Sequence, residues 1–239
     1  MQGDPSSTLQ ARGTLKLCDK YETPSVRNRI VERTEALWPQ GLRLWYLERC
    51  AFEKTTVFQH IIDPWDDDPA ESSFAEPVST IRFATEFKMP QVLPMAYYRL
   101  AVSVPGLQWG QHRDNTAMAA RWDLLQREDW GRYTKGKATL IRRYDELYEV
   151  YHESAQGECR DLDDCRAARA KVRKMLQDKF DAQYAQQPDI LWRIFQTLEN
   201  RDYHGIFCSE CGYRVREGLR DLLIDIWRDL PRIFYVETV

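Results

Sequence analysis

Two pairs of cysteines, Cys159/Cys165 and Cys208/Cys211, bracket a long helical stretch and constrain this chain more than any other feature. If the four thiols meet, the start of the helix near Leu162 and the start of the last helix must meet with them. The second pair lies in Phe207-Cys208-Ser209-Glu210-Cys211-Gly212, a CxxC spacing that lets two thiolates converge on one ion, with a glycine behind the tight turn. Both pairs precede helices, whose N-terminal partial positive charge favours the thiolate. Cys159, Cys165, Cys208 and Cys211 are therefore candidate ligands of one structural Zn2+, a site with no open coordination position that would stabilise the fold and catalyse nothing. The alternative is one knuckle-like turn plus two unrelated cysteines, because the five-residue gap of the first pair is not a specific metal spacing. His204, four residues before Cys208, is a substitute for one thiolate.

Elsewhere apolar residues recur at helical spacing and strand signals are nearly absent, so the chain reads as all-α, with helical hairpins followed by a helical C-terminal domain. Leu15, Cys18 and Tyr21, then a break at Glu22-Thr23-Pro24, then Val26, Ile30 and Leu37 spell a helix, a turn and a second helix. Pro24 takes the first position of that second helix, where a missing N–H costs nothing. The unit returns 66 residues later, with Thr14-Leu15-Lys16-Leu17 aligned to Thr80-Ile81-Arg82-Phe83, Tyr21 to Phe87, Pro24 to Pro90, Val26 to Val92 and Arg33 to Arg99. Pro94 moves the expected start of the last helix in this copy toward itself, since a proline removes a backbone bond. Chance is the competing explanation, because amphipathic hairpins share a pattern by physics alone.

The remaining segments follow in order. Leu42 to Ile62 reads as one or two helices, and Asp63-Pro64-Trp65-Asp66-Asp67-Asp68-Pro69 as a solvated acidic loop without calcium-ligand spacing. A boundary falls after Val104-Pro105-Gly106, giving a mobile tail over 1–13, a hairpin region over 14–105 and a C-terminal domain over 106–239 that holds the cysteine pairs. That domain opens with Ala117 to Leu125. Over Glu128 to Tyr151, Trp130, Tyr133, Leu140, Ile141, Tyr144, Leu147, Tyr148 and Tyr151 trace one apolar face interrupted by Gly136. Helices over Leu162 to Tyr184 and Ile190 to Leu198 come next, the latter closed by Asn200 and Gly205. The final helix is expected to stop at Leu230-Pro231.

Composition removes several classes of function. A balance of 34 basic and 37 acidic residues gives a net charge of -3, so no field over the whole chain steers it to nucleic acid or an anionic membrane. No run approaches the length of a membrane helix and Met1 to Gly13 lacks an apolar signal core, so an intracellular location is expected, with cysteines reduced or metal-bound. Cys18 and Cys50 read as small core residues. His112-Arg113-Asp114-Asn115 imitates a kinase catalytic loop, but Ala119 stands where a metal-binding Asn is needed and no glycine-rich loop exists. The basic face of Arg160 to Lys179 is diluted by Asp161, Asp163, Asp164, Asp178 and the adjacent Asp181 and reads as solvated.

The turn Lys16-Leu17-Cys18-Asp19-Lys20-Tyr21 ahead of a proline-started helix resembles the end of a BTB/POZ domain. Ile81 to Ala101, with Leu93-Pro94-x-Ala96-x-Tyr98, is similar to the BACK-like helical region that follows it in fungal BTB-domain proteins. Cys159, Cys165, Cys208-x-x-Cys211, Arg220, Trp227, Leu230-Pro231 and Phe234 extend the resemblance through the C-terminal half. It implies an interaction role, while the sheet of a BTB domain has no counterpart ahead of Leu15, so dimerising and cullin-contacting surfaces are expected to be missing. The sequence thus points to a non-enzymatic protein-interaction module with a protein partner, no membrane, nucleic-acid or small-molecule ligand, and one structural zinc. The competing reading is a zinc or redox CxxC regulator that contacts nucleic acid through the basic helix.

Overall fold

A computed structural model describes residues 7–62, 75–109, 118–153, 159, 162–180, 187–199 and 206–236, with side chains excepted at 7–10, 54–62, 152–153, 162, 173 and 175–180. The fold is all-α. Among the described residues there is no strand, only an isolated bridge between Gln108 and Ala120. The acidic loop from Asp63 to Pro69 and the kinase-like His112 to Asn115 lie outside the described residues. The chain divides into two compact units, one of 1–136 with 230–239 and one of 137–229.

The first unit opens with α1 (Ser7–Lys20) and α2 (Pro24–Glu35), continues through α3 (Leu42–Ile62), and then repeats the hairpin as α4 (Pro77–Glu86) and α5 (Leu93–Val102). Helix α1 begins well before Thr14, so residues 7–13 of the expected tail are helical. Gly13 costs the helix only about 1 kcal/mol, and burial of Leu15 and Cys18 just beyond it offsets that cost. Cys50, expected in the core, is only half-buried.

The 66-residue repeat is visible in the backbone. The N–H of Tyr21 bonds to the Leu17 carbonyl at 2.9 Å and that of Thr23 to Cys18 at 3.0 Å; Phe87 bonds to Phe83 at 3.0 Å and Met89 to Ala84 at 2.9 Å. Between these donors Glu22 and Lys88 take left-handed φ values of 50° and 57°, the conformation that lets the 6→1 bond close a helix end. After that turn the copies diverge. Helix α2 starts on Pro24, whereas α5 starts at Leu93 with Pro94 inside its first turn, where its missing donor is harmless.

Every residue of α5 is buried, as befits a helix apolar nearly all round. Its one cation, Arg99, is matched by Glu48 at 2.7 Å and the Ala75 carbonyl at 3.3 Å, with Trp38 stacked 4.4 Å from the guanidinium. Helix α4 is capped by Glu76, a fully buried carboxylate that accepts from the backbone N–H groups of Val78 (3.0 Å), Ser79 (2.6 Å) and Arg121 (2.9 Å). The last of these bonds explains why Met118 to Leu125 forms no α-helix. The Arg121 N–H goes to Glu76 and the Ala120 N–H to Leu107, which leaves only a 3-10 turn at Trp122–Leu124.

Helix α6 (Arg127–Glu153) runs unbroken through Gly136, and its first part belongs to this unit. The end of α9 (Ser209–Ile233) belongs to it too. That helix passes through Pro231 instead of stopping there, because a proline in the last turn forfeits a single bond, and the Phe234 N–H still reaches Leu230 at 3.1 Å. Phe234 is fully buried against Tyr97, with ring centroids 5.6 Å apart. Trp130 and Ile141 depart from the expected α6 stripe and are partly exposed, so the buried row is Tyr133, Leu140, Tyr144, Leu147 and Tyr151.

The second unit contains the remainder of α6, α7 (Leu162–Phe180), α8 (Ile190–Glu199) and most of α9. Helix α9 carries Cys211, Val215, Leu219, Leu222 and Ile226 on one buried row at spacings of three and four. It lies close against α6. A Cβ on Gly218 would stand 2.8 Å from Val150 Cγ1, and Arg143 pairs with Asp229. Residues 181–184 of the expected α7, together with Asn200 and Gly205, lie outside the described residues.

Candidate metal centre

The CxxC turn is built by the start of α9. Because the helix begins at Ser209, Cys208 occupies the N-cap position and Cys211 the third helical position, the pair between which an N-cap side chain bridges. The Cys208 carbonyl takes the first helical bond from Gly212 at 2.8 Å, and its sulfur takes the Cys211 N–H at 3.5 Å. The cysteine thus does what serine or aspartate commonly does at this position, and its sulfur is fixed over the helix end.

The other two thiols arrive from α7. Cys165 lies at the end of its first turn and its sulfur accepts the backbone N–H of Cys208 at 3.3 Å. Cys159 precedes the helix and places its sulfur 3.4 Å from Cys211 and 3.9 Å from Cys208. All four sulfurs lie within 4.8 Å of one another. Four Zn–S bonds of about 2.3 Å in a tetrahedron separate the sulfurs by about 3.8 Å, so the donor set has the dimensions and the chemistry of such a site. A disulfide would bring two sulfurs to about 2.05 Å, and all six cysteines are free. The expected juxtaposition of Cys159, Cys165, Cys208 and Cys211 is therefore present. His204 lies outside the described residues.

The electrostatics separate the thiols. The Cys211 N–H on its sulfur pushes Cys208 down to about 6, whereas burial, reinforced by the neighbouring Cys159 and Cys208, pushes Cys211 up to about 12. Burial also raises Cys165. Arg169, one turn beyond Cys165 on α7, reaches Cys211 Sγ at 3.6 Å. A divalent ion with four thiolates carries two excess negative charges, and Arg169 and the positive ends of α7 and α9 are positioned against them. Arg169 was not legible in the sequence as part of the site, because it stood among many basic residues of that helix; its four-residue spacing from Cys165 was the available signal.

Set against known protein families, curated proteins and solved structures, the chain matches none. Among the described residues no helix is long and apolar enough to cross a membrane.

Proposed function

We propose that Cys159, Cys165, Cys208 and Cys211 hold one structural Zn2+ and that the chain is a non-enzymatic helical module for binding another protein. The observation that carries the reading is the convergence of four sulfurs from two distant segments within 4.8 Å. Four thiolates saturate a tetrahedral ion, so it ties the starts of α7 and α9 together and keeps no position for water or substrate. The work of the protein then falls to helix surfaces. The resemblance of its hairpins and cysteine pattern to fungal BTB-domain proteins supports an interaction role of that kind.

The test is elemental analysis of protein purified without chelator or metal resin, with Cys208→Ser and Cys159→Ser beside it. One zinc per chain, lost in both variants together with a fall in melting temperature, is the expected result. No metal, or metal retained in Cys159→Ser, overturns the site. Insulin reduction that Cys208→Ser abolishes would favour the redox alternative.

A further inference from the structure

Positions that the second hairpin buries stand open on the first. Leu17 and Tyr21, one turn apart on α1, are 55% and 65% exposed, whereas their counterparts on α4, Phe83 and Phe87, are 3% and 5% exposed. Val26 at the start of α2 is likewise exposed and its counterpart Val92 fully buried. The end of α4 that carries Phe87 is where the first hairpin docks. Glu86 receives Arg12 at 2.6 Å and Lys16 at 3.2 Å from α1, and the Phe87 carbonyl receives Arg27 of α2 at 3.3 Å. Because the two hairpin turns share one backbone geometry, the corresponding flank of α1 carries Lys20 and Tyr21 in place of Glu86 and Phe87. It keeps the apolar pattern of a hairpin seat and inverts the charge.

We propose that Leu17, Tyr21 and Val26 form a docking surface for a helical hairpin of another protein, stacked on α1 as α1 stacks on α4, with carboxylates where α1 presents Arg12 and Lys16. A second copy of this chain does not meet that description. Its own Arg12, Lys16 and Arg27 are engaged by Glu86, Asp19 and the Phe87 carbonyl, and they share the sign of Lys20. The inference rests on the interaction-module reading but not on the metal, since the face belongs to the first unit and the thiols to the second.

The probe is a copy of residues 7–35 carrying Arg12→Glu and Lys16→Glu, joined ahead of the full chain by a flexible Gly/Ser linker of about 30 residues, which sets a local concentration in the millimolar range. The reporter is Gly13→Cys in the resident hairpin, one turn before Leu17, where an added Cβ meets nothing within 4 Å. Maleimide labelling at that cysteine, mapped by peptide mass, is expected to slow about tenfold when the probe is attached, the signature of a face covered most of the time. Leu17→Asp with Tyr21→Asp restores the rate, and so does Tyr21→Ala in part, with circular dichroism unchanged in each. A probe that keeps Arg12 and Lys16 protects less. Labelling at the same rate with and without the probe overturns the docking surface, and equal protection by both probes overturns the acidic partner. The result is the same in chelator-treated protein, so loss of the zinc site and loss of this surface are read separately.

Discussion

The ring of Phe234 lies so close over the backbone of Gly136 that a Cβ there would stand 2.1 Å from Cδ1. Glycine inside a helix ordinarily costs about 1 kcal/mol relative to alanine, yet here the helix keeps it because an aromatic side chain occupies the space. Gly131, five residues earlier in the same helix, has nothing within 4 Å of its Cβ position. The two alanine substitutions should therefore differ in sign. Gly131→Ala is expected to stabilise by up to about 1 kcal/mol, and Gly136→Ala to destabilise by about 1–3 kcal/mol through overpacking, as read by urea denaturation.

The Tyr97 hydroxyl donates to Asp129 at 2.6 Å in a buried setting. Burial, and after it the Asp129 carboxylate, pushes the phenol far above its ordinary value, so it stays a donor across the whole working pH range. Tyr97→Phe leaves a buried carboxylate short of one donor and should cost about 1.5–3 kcal/mol. A double-mutant cycle with Asp129→Asn should return a coupling close to that single-variant loss. A coupling near zero would show that the bond contributes nothing to stability.

Glu76 accepts from three backbone donors drawn from two segments, Val78 and Ser79 at the start of α4 and Arg121 beyond it. Glu76→Ala therefore removes both a helix cap and a tie to Arg121. The expected loss is about 2–4 kcal/mol, above the usual range for a cap alone, and hydrogen exchange should accelerate at Arg121 as well as in the first turn of α4. Exchange confined to α4 would contradict the tie.

Cys208 should be the first cluster thiol to react in chelator-stripped protein. Its folded value lies near 6, so the thiolate forms as pH rises through about 6, and iodoacetamide labelling should climb between pH 5 and 7. Cys165 and Cys211, raised above the ordinary thiol, should label only in strongly alkaline buffer or on unfolding. The same shift sets a stability trend. A group whose folded value is lowered contributes fully above its unfolded value of about 8.5 and loses that contribution as pH falls through about 6. Stripped protein should therefore weaken over that window, and Cys208→Ser should flatten this limb of the profile.

Helical periodicity, proline positions and the 66-residue echo made most helices legible, because each is a local property of neighbouring residues. What escaped was decided by partners far away in sequence. Met118 to Leu125 holds good helix formers, but Glu76 and Leu107 take the N–H groups of Arg121 and Ala120. Gly136 interrupts the apolar face in sequence, and the ring of Phe234 against it is what requires the glycine. Pro231 read as a stop, yet its position in the last turn costs one bond only. At the thiol cluster the CxxC half was legible from spacing alone, since its geometry is that of a single helix cap. Cys159 and Cys165 join it through the meeting of two helix starts, and no spacing within either segment encodes that meeting.

The return of Phe234 to Tyr97 also sets an order of events during synthesis. Tyr97 and Gly136 leave the ribosome with their aromatic neighbour still to be made, and at about 5–20 residues per second that neighbour follows after an interval on the order of ten seconds. During that interval the face beneath the ring is apolar and uncovered. The nascent N-terminal unit is therefore the stage at which chaperones would find this chain, and a truncation before Phe234 would prolong that exposure indefinitely.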